Sequence, residues 1–222
     1  MKIPKREYLQ ILILAVPFCI AWVLWKKLPD RMPIHWNLDG QPDNYAGKSI
    51  AAFLIPFVNV GVAVLIMLLP RIDPKFAKND EETKASVRRT IASIRLALTF
   101  FFSIVALAVL AAPFRPFLQI SLIIPAGFGI LLVVLGNFLT KLRPNYFCGY
   151  RNPWTLESRD IWIKTHRFGG RLMILAGFFV AVFSFVLPIK QFFSFVLIPV
   201  IAVIAVVPIA YSYITYSHSR PN

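Results

Sequence analysis

Acidic residues are scarce in this chain. Asp and Glu number 10 in 222 residues against 24 Lys and Arg, and charged residues together make up 15%, where a soluble domain carries about 25%. That charge is too thin to clothe a water-facing body of this size. Cysteine is scarcer still. Cys19 lies in an apolar run and Cys148 in a basic loop, which excludes a disulfide framework and a cysteine-based metal site. The three histidines, His35, His166 and His218, form no pair at ligand spacing. No glycine-rich phosphate loop and no strand–turn–helix nucleophile elbow is present, so the case for an enzyme is weak. No internal repeat or low-complexity linker divides the chain.

What the sequence holds in abundance is apolar. Hydrophobic residues make up 58%, with 20 Phe and 5 Trp, and the mean hydropathy is +0.67. A disordered chain would not carry so many aromatics. A soluble core built from so short a chain could not hide so much apolar surface. Runs without charge cover residues 8–25, 49–70, 96–114, 116–140, 172–189 and 191–219. Each approaches the roughly 20 residues that a helix needs to cross about 30 Å of hydrocarbon. They lack the alternation of barrel strands, and only helices then satisfy their backbone in lipid. The sequence therefore predicts an all-α integral membrane protein of six transmembrane helices. Arg95, about one turn inside the third run, is expected to snorkel to the interface. The first run has no small-residue cleavage site after Trp25-Lys26-Lys27 and reads as a retained anchor.

Charge then orients the bundle. Eighteen Lys and Arg fall on the side of the amino terminus, residues 71–95, residues 141–171 and the tail, and six fall opposite. This asymmetry predicts that both termini and the two long basic loops are cytoplasmic. Basic residues placed between apolar runs meet anionic headgroups, so no direct nucleic-acid partner is expected. Residues 71–89 read as a solvated amphipathic lead into the third helix.

Two loops carry more information than connectors do. The outer one, between the first two spans, contains Pro33-Ile34-His35-Trp36-Asn37-Leu38-Asp39-Gly40 and continues through Asp43, Tyr45 and Lys48. Ile34-His35-Trp36 suits a short strand and Asp39-Gly40 a tight turn. The inner one contains Asn145-Tyr146-Phe147-Cys148-Gly149-Tyr150-Arg151-Asn152-Pro153-Trp154-Thr155-Leu156. Ser158 then suits a helix cap with Asp160 near the dipole. Ile161, Trp162, Thr165 and Phe168 share one face, the pattern of a short amphipathic interfacial helix before the fifth span. Gly169-Gly170 is expected to bend the chain into that span.

At these residues the sequence resembles the SdpI family. Asn145-Tyr146-Phe147, Gly149, Arg151, Pro153-Trp154-Thr155-Leu156, Trp162 and Thr165-His166-Arg167 carry the family signature. Pro33-Ile34-His35-Trp36-Asn37 and Gly40 resemble the domain that often precedes it. The family comprises bacterial membrane proteins named for an immunity protein against a secreted toxic peptide. The resemblance implies two parts: residues 1–70, with two spans and an ordered extracellular loop, and residues 71–222, the four-span region with the cytoplasmic signature. It also implies a partner on each side of the lipid bilayer, a secreted peptide toxin outside and a cytoplasmic transcriptional repressor inside.

His35 with Asp39 and Asp43 suits a weak cation site or a histidine hydrogen-bonded within an ordered loop. His166, across about 30 Å of hydrocarbon from His35, reads as a helix-surface group near headgroups, so the two share no metal. The pairs Asp39 with Asp43 and Glu157 with Asp160 read as solvated ion pairs rather than proton-sharing carboxylates. The span midpoints contain no ionisable group, which disfavours an ion-driven pump. Recognition remains. The candidates to face a toxin are His35, Trp36, Asn37, Asp39, Tyr45 and Lys48. Those to meet a partner or headgroups inside are Asn145, Arg151, Pro153, Trp154, Trp162, His166 and Arg167. No metal or cofactor is expected. The alternative is a membrane-embedded enzyme or accessory factor acting on lipid or envelope substrates.

Overall fold

The computed structural model describes residues 4–77, 80–115 and 119–219. Lys2, Lys78, Pro116 and Arg220, which entered the charge count and the span boundaries above, lie outside the described residues. Among the described residues, six helices are long and apolar enough to cross a membrane, which makes the chain a multi-pass membrane protein.

Helix α1 (Lys5–Leu24) leads through a hairpin, β1 (Arg31–Trp36) and β2 (Pro42–Gly47), into α2 (Lys48–Ile72). A single turn, α3 (Pro74–Ala77), precedes α4 (Glu81–Ala111). Then come α5 (Ile120–Leu139), the short α6 (Pro153–Glu157) and α7 (Arg159–Val186). A turn of helix, α8 (Ile189–Phe192), runs through a π-helical segment (Phe193–Leu197) into α9 (Ile198–His218). Caps set the polar starts. Asp80 accepts from the Thr83 N–H at 2.8 Å at the head of α4, where Glu81 and Glu82 complement the dipole. Ser158 accepts from the Ile161 N–H at the head of α7.

Glycine governs the closest packing. A Cβ on Gly129 of α5 would stand 2.6 Å from the Gly177 carbonyl oxygen of α7. One on Gly136 would stand 2.6 Å from the Gly170 carbonyl oxygen. The two pairs sit seven residues apart on antiparallel helices, so the backbones touch along two turns with no side chain between them. Lipid gives helices no hydrophobic reason to associate, and such small-residue seams are how they approach closely.

Polar groups tie α1 and α2 to α4. Asn59 Nδ2 donates to the Thr99 carbonyl and to Ser103 Oγ, each at 3.1 Å, and Ser103 Oγ donates to the Ile13 carbonyl at 3.1 Å. Gln10 Nε2 donates to Thr99 Oγ1. Arg95 departs from expectation. It is 4% exposed and bound to Glu7, because a carboxylate one helix away offers a partner closer than the headgroups.

The start of α7 also departs from expectation. The residues read as a separate interfacial helix, Ile161 to Phe168, are the first turns of α7, which continues through Gly169-Gly170 from Arg159 to Val186, and the short helix that precedes this span is α6. Ile161, Trp162 and Thr165 are buried, so the apolar face that resembled a membrane-surface helix instead meets protein. The glycines serve close packing, Gly170 against Gly136 and Thr140 and Gly169 under the Tyr150 ring.

Candidate functional site

The hairpin lies at the end of the bundle formed by the carboxy termini of α1 and α4 and the amino termini of α2 and α5. Its strands pair antiparallel from Arg31↔Gly47 to Trp36↔Pro42, with irregularities on either side of His35. Asn37 builds the turn. Its Oδ1 accepts from the Asp39 N–H at 2.9 Å and the Gln41 N–H at 3.0 Å, and Gly40 takes φ +76°. Met32 anchors the hairpin: it is fully buried among Ala21, Ala51, Ala52 and Leu110. Burying an unbranched apolar side chain of that size stabilises the docked position by about 2 kcal/mol. At the base, Lys48 Nζ reaches Asp30 at 3.2 Å and lies 5.1 Å from the centre of the Trp25 ring.

Beneath the hairpin lies a cavity of about 540 Å³. His35, Trp36, Asn37, Leu38 and Asp43 form one wall. The opposite wall is mostly apolar, from Ile55 of α2, Val105 and Val109 of α4, Ile124 and Pro125 of α5, and Phe193 beyond α8, with Ser121 of α5 as its polar member. His35 Nδ1 meets Asp43 Oδ1 at 2.6 Å, which fixes the imidazole at the rim while both groups keep water contact. Of the toxin-facing candidates, His35, Trp36 and Asn37 share this cavity. Asp39 and Tyr45 are exposed elsewhere on the hairpin, and Lys48 is spent on Asp30 and Trp25. Asp39 does not join Asp43; the partner of Asp43 is His35.

The other end of the bundle holds the signature segment, folded as a plug. Asn145 is buried. Its Oδ1 accepts from the N–H groups of Phe147 and Cys148, and its Nδ2 donates to the Arg143 carbonyl. Arg151 Nη1 donates to the Tyr146 carbonyl at 2.8 Å, closing the loop, while the rest of the guanidinium stays exposed. Asn152 caps α6 in a reciprocal box with Thr155 and also donates to Ser212 Oγ of α9 at 2.8 Å. Pro153 opens α6, and Trp154 packs on Tyr213 of α9 with ring centres 5.1 Å apart.

His166 is the centre of the plug rather than a surface group: it is 1% exposed. Its Nε2 accepts the Tyr150 N–H at 3.0 Å. That bond leaves Nδ1 to carry the proton, which it donates to the Trp162 carbonyl at 2.8 Å. The ring lies stacked on Trp162 at 4.0 Å, and Trp162 Nε1 donates to the Leu142 carbonyl. Gly149, at φ +98°, passes so close that a Cβ would collide with His166 Nε2. Tyr150 donates from its hydroxyl to the Ile204 carbonyl at 2.8 Å, and burial pushes its pKa up to about 12. Burial likewise pushes the Cys148 thiol up. Arg167 is exposed and takes no part. Glu157 and Asp160 do not share a proton: Glu157 accepts from Tyr216 and Asp160 pairs with Lys164.

Sequence reasoning missed Asp73. Its Oδ1 caps α3 through the Phe76 N–H, and its Oδ2 accepts the Tyr146 N–H at 3.0 Å. One carboxylate thus ties the end of α2 to the signature plug. The Asp-Pro pair at the end of an apolar run was the available signal, since Asp caps and Pro opens a helix.

Comparison with known proteins places matches on both regions. Residues 141–212 match the SdpI/YfhL protein family, and residues 12–60 match a domain of unknown function, DUF1648. The chain is 28% identical over 181 residues to the immunity protein SdpI of Bacillus subtilis (strain 168), covering 82% of each. No solved structure matches.

Proposed function

We propose that this chain, which belongs to the SdpI/YfhL family, is a membrane-resident immunity protein that captures a secreted amphipathic peptide under its hairpin. The observation that carries the reading is the cavity of about 540 Å³. Its apolar floor suits a bulky side chain of the peptide, and its rim offers Trp36, His35 and Asp43 to the polar part. A mostly apolar pocket with a few placed polar groups is the usual form of a recognition site. The similarity to an immunity protein supports the same reading. The work is done by binding.

The charge asymmetry supports placing the hairpin on the external face, where a secreted peptide arrives. The signature plug would then face the cytoplasm. There Arg143, Arg151, Arg159 and Arg167 are exposed, a cationic surface suited to an acidic patch on a cytoplasmic transcriptional repressor. Expression of the chain in a sensitive bacterium tests the first part. Cells should survive an amphipathic killing peptide, and Trp36→Ala should cost at least about tenfold in the protective dose, as for the loss of an aromatic anchor. Full protection by Trp36→Ala at unchanged membrane abundance would remove the cavity from the site.

A further inference from the structure

A second cavity, of about 720 Å³, opens at the opposite end of the bundle between α1, α2, α3 and α4. Its charge is one-sided. Arg71, Lys84, Arg88 and Arg95 line it against a single carboxylate, Glu7. Lys84 is engaged by Glu81 at 2.8 Å, and Arg88 lies over the Phe76 ring at 5.2 Å, which holds the guanidinium at the cavity wall. Arg95 forms the deepest cation. It is 4% exposed and bound to Glu7 through Nη2, yet its Nε–H has no partner among the described residues. A buried guanidinium N–H without an acceptor is costly, and a buried charge normally has its hydrogen bonds filled. The remaining wall is apolar, with Met67, Phe76 and Ile91.

We propose that this cavity binds a phosphate group, and that the phosphate is the headgroup of an anionic phospholipid from the leaflet at that end. Three observations converge. Of the four lining cations, Lys84 and Arg95 are ion-paired with Glu81 and Glu7, while Arg71 and Arg88 have no ion-pair partner among the described residues. Arg95 presents a donor that a phosphate oxygen would satisfy, and guanidinium is the cation best shaped for phosphate. The apolar wall suits the glycerol and first methylenes of a lipid, which free phosphate lacks. Basic pockets between transmembrane helices bind anionic headgroups in this manner. The site is separate from the hairpin cavity and shares no residue with it. A bound phosphate would also neutralise the pocket and hold α2, α3 and α4 together beside Asp73, where α3 meets the signature plug.

The test uses the full chain, purified in mild detergent and placed in nanodiscs. Native mass spectrometry reads retained lipid, and exchange against phosphatidylglycerol or phosphatidylcholine reads preference. Arg71→Gln and Arg88→Gln are the variants, because both side chains are exposed and neither carries the α1–α4 contact. The wild type should retain phosphatidylglycerol over phosphatidylcholine, and each substitution should weaken retention about fivefold, the scale of one cation near an anionic surface. A thermal melt of each variant close to that of the wild type shows that the fold is kept. Displacement of the lipid by millimolar inorganic phosphate alone, with the same dependence on Arg71 and Arg88, would keep the phosphate site but overturn the lipid source. Equal retention of both lipids, or retention unchanged in the Arg71→Gln/Arg88→Gln double variant, would overturn the site itself.

Discussion

The Tyr150 N–H donates to Nε2 of His166 at 3.0 Å, across sixteen residues and from loop to helix. The bond requires an unprotonated Nε2, so a single tautomer of one buried imidazole holds the signature loop against α7. His166→Gln keeps an acceptor near the Nε2 position, whereas His166→Ala leaves both the Tyr150 N–H and the Trp162 carbonyl bare and opens a gap beside Trp162. Thermal unfolding in micelles should show His166→Ala destabilised by about 3 kcal/mol and His166→Gln by about half as much. Equal loss in both variants would mean that packing, rather than the acceptor, fixes the loop.

The glycine seam between α5 and α7 predicts a sharp positional effect. Gly136→Val places a branched side chain against the Gly170 carbonyl and should cost at least about 2 kcal/mol. Gly61→Ala is the control, since a Cβ there meets nothing within 4 Å and should leave stability unchanged within about 0.5 kcal/mol. Membrane abundance and melting temperature, measured in parallel, check the pair. A tolerated Gly136→Val would place the seam elsewhere.

Orientation has its own measurement. Reporter fusions after Lys26 or Lys190 should read external, and fusions after Arg89 or Arg159 should read cytoplasmic, as the distribution of Lys and Arg demands. An external reading at Arg159 would invert the assignment of the hairpin and the signature plug to their two compartments.

Much of the architecture was legible before the structure. Six charge-free runs gave six long helices, because in lipid the length of an apolar stretch is nearly the whole signal. The Asp39-Gly40 turn and the short strand through His35 appear as expected, since turn chemistry is local. The misreadings share one cause. An apolar stripe on a helix says that something covers it, not whether that is lipid or protein, so Ile161 and Trp162 read as interfacial when they pack inside the plug. The burial of Arg95 is illegible for the same reason, because Glu7 is 88 residues away in sequence and no local pattern announces the pair. The glycine seam was visible as two pairs spaced seven apart, Gly129 with Gly136 and Gly170 with Gly177. Its meaning emerges only when the two helices are set side by side.

Contact between peptide and cavity can be read directly. A photoreactive residue is introduced at Leu38, which is exposed and lines the cavity, and in parallel at Lys141, which is exposed at the opposite end. Cells expressing either form are treated with an amphipathic killing peptide against which the wild-type chain protects. The account predicts a covalent peptide adduct at position 38, competed away by excess unlabelled peptide and reduced at least about tenfold by Trp36→Ala, with none at position 141. An adduct at position 141 and none at 38, in cells that remain protected, would contradict capture beneath the hairpin.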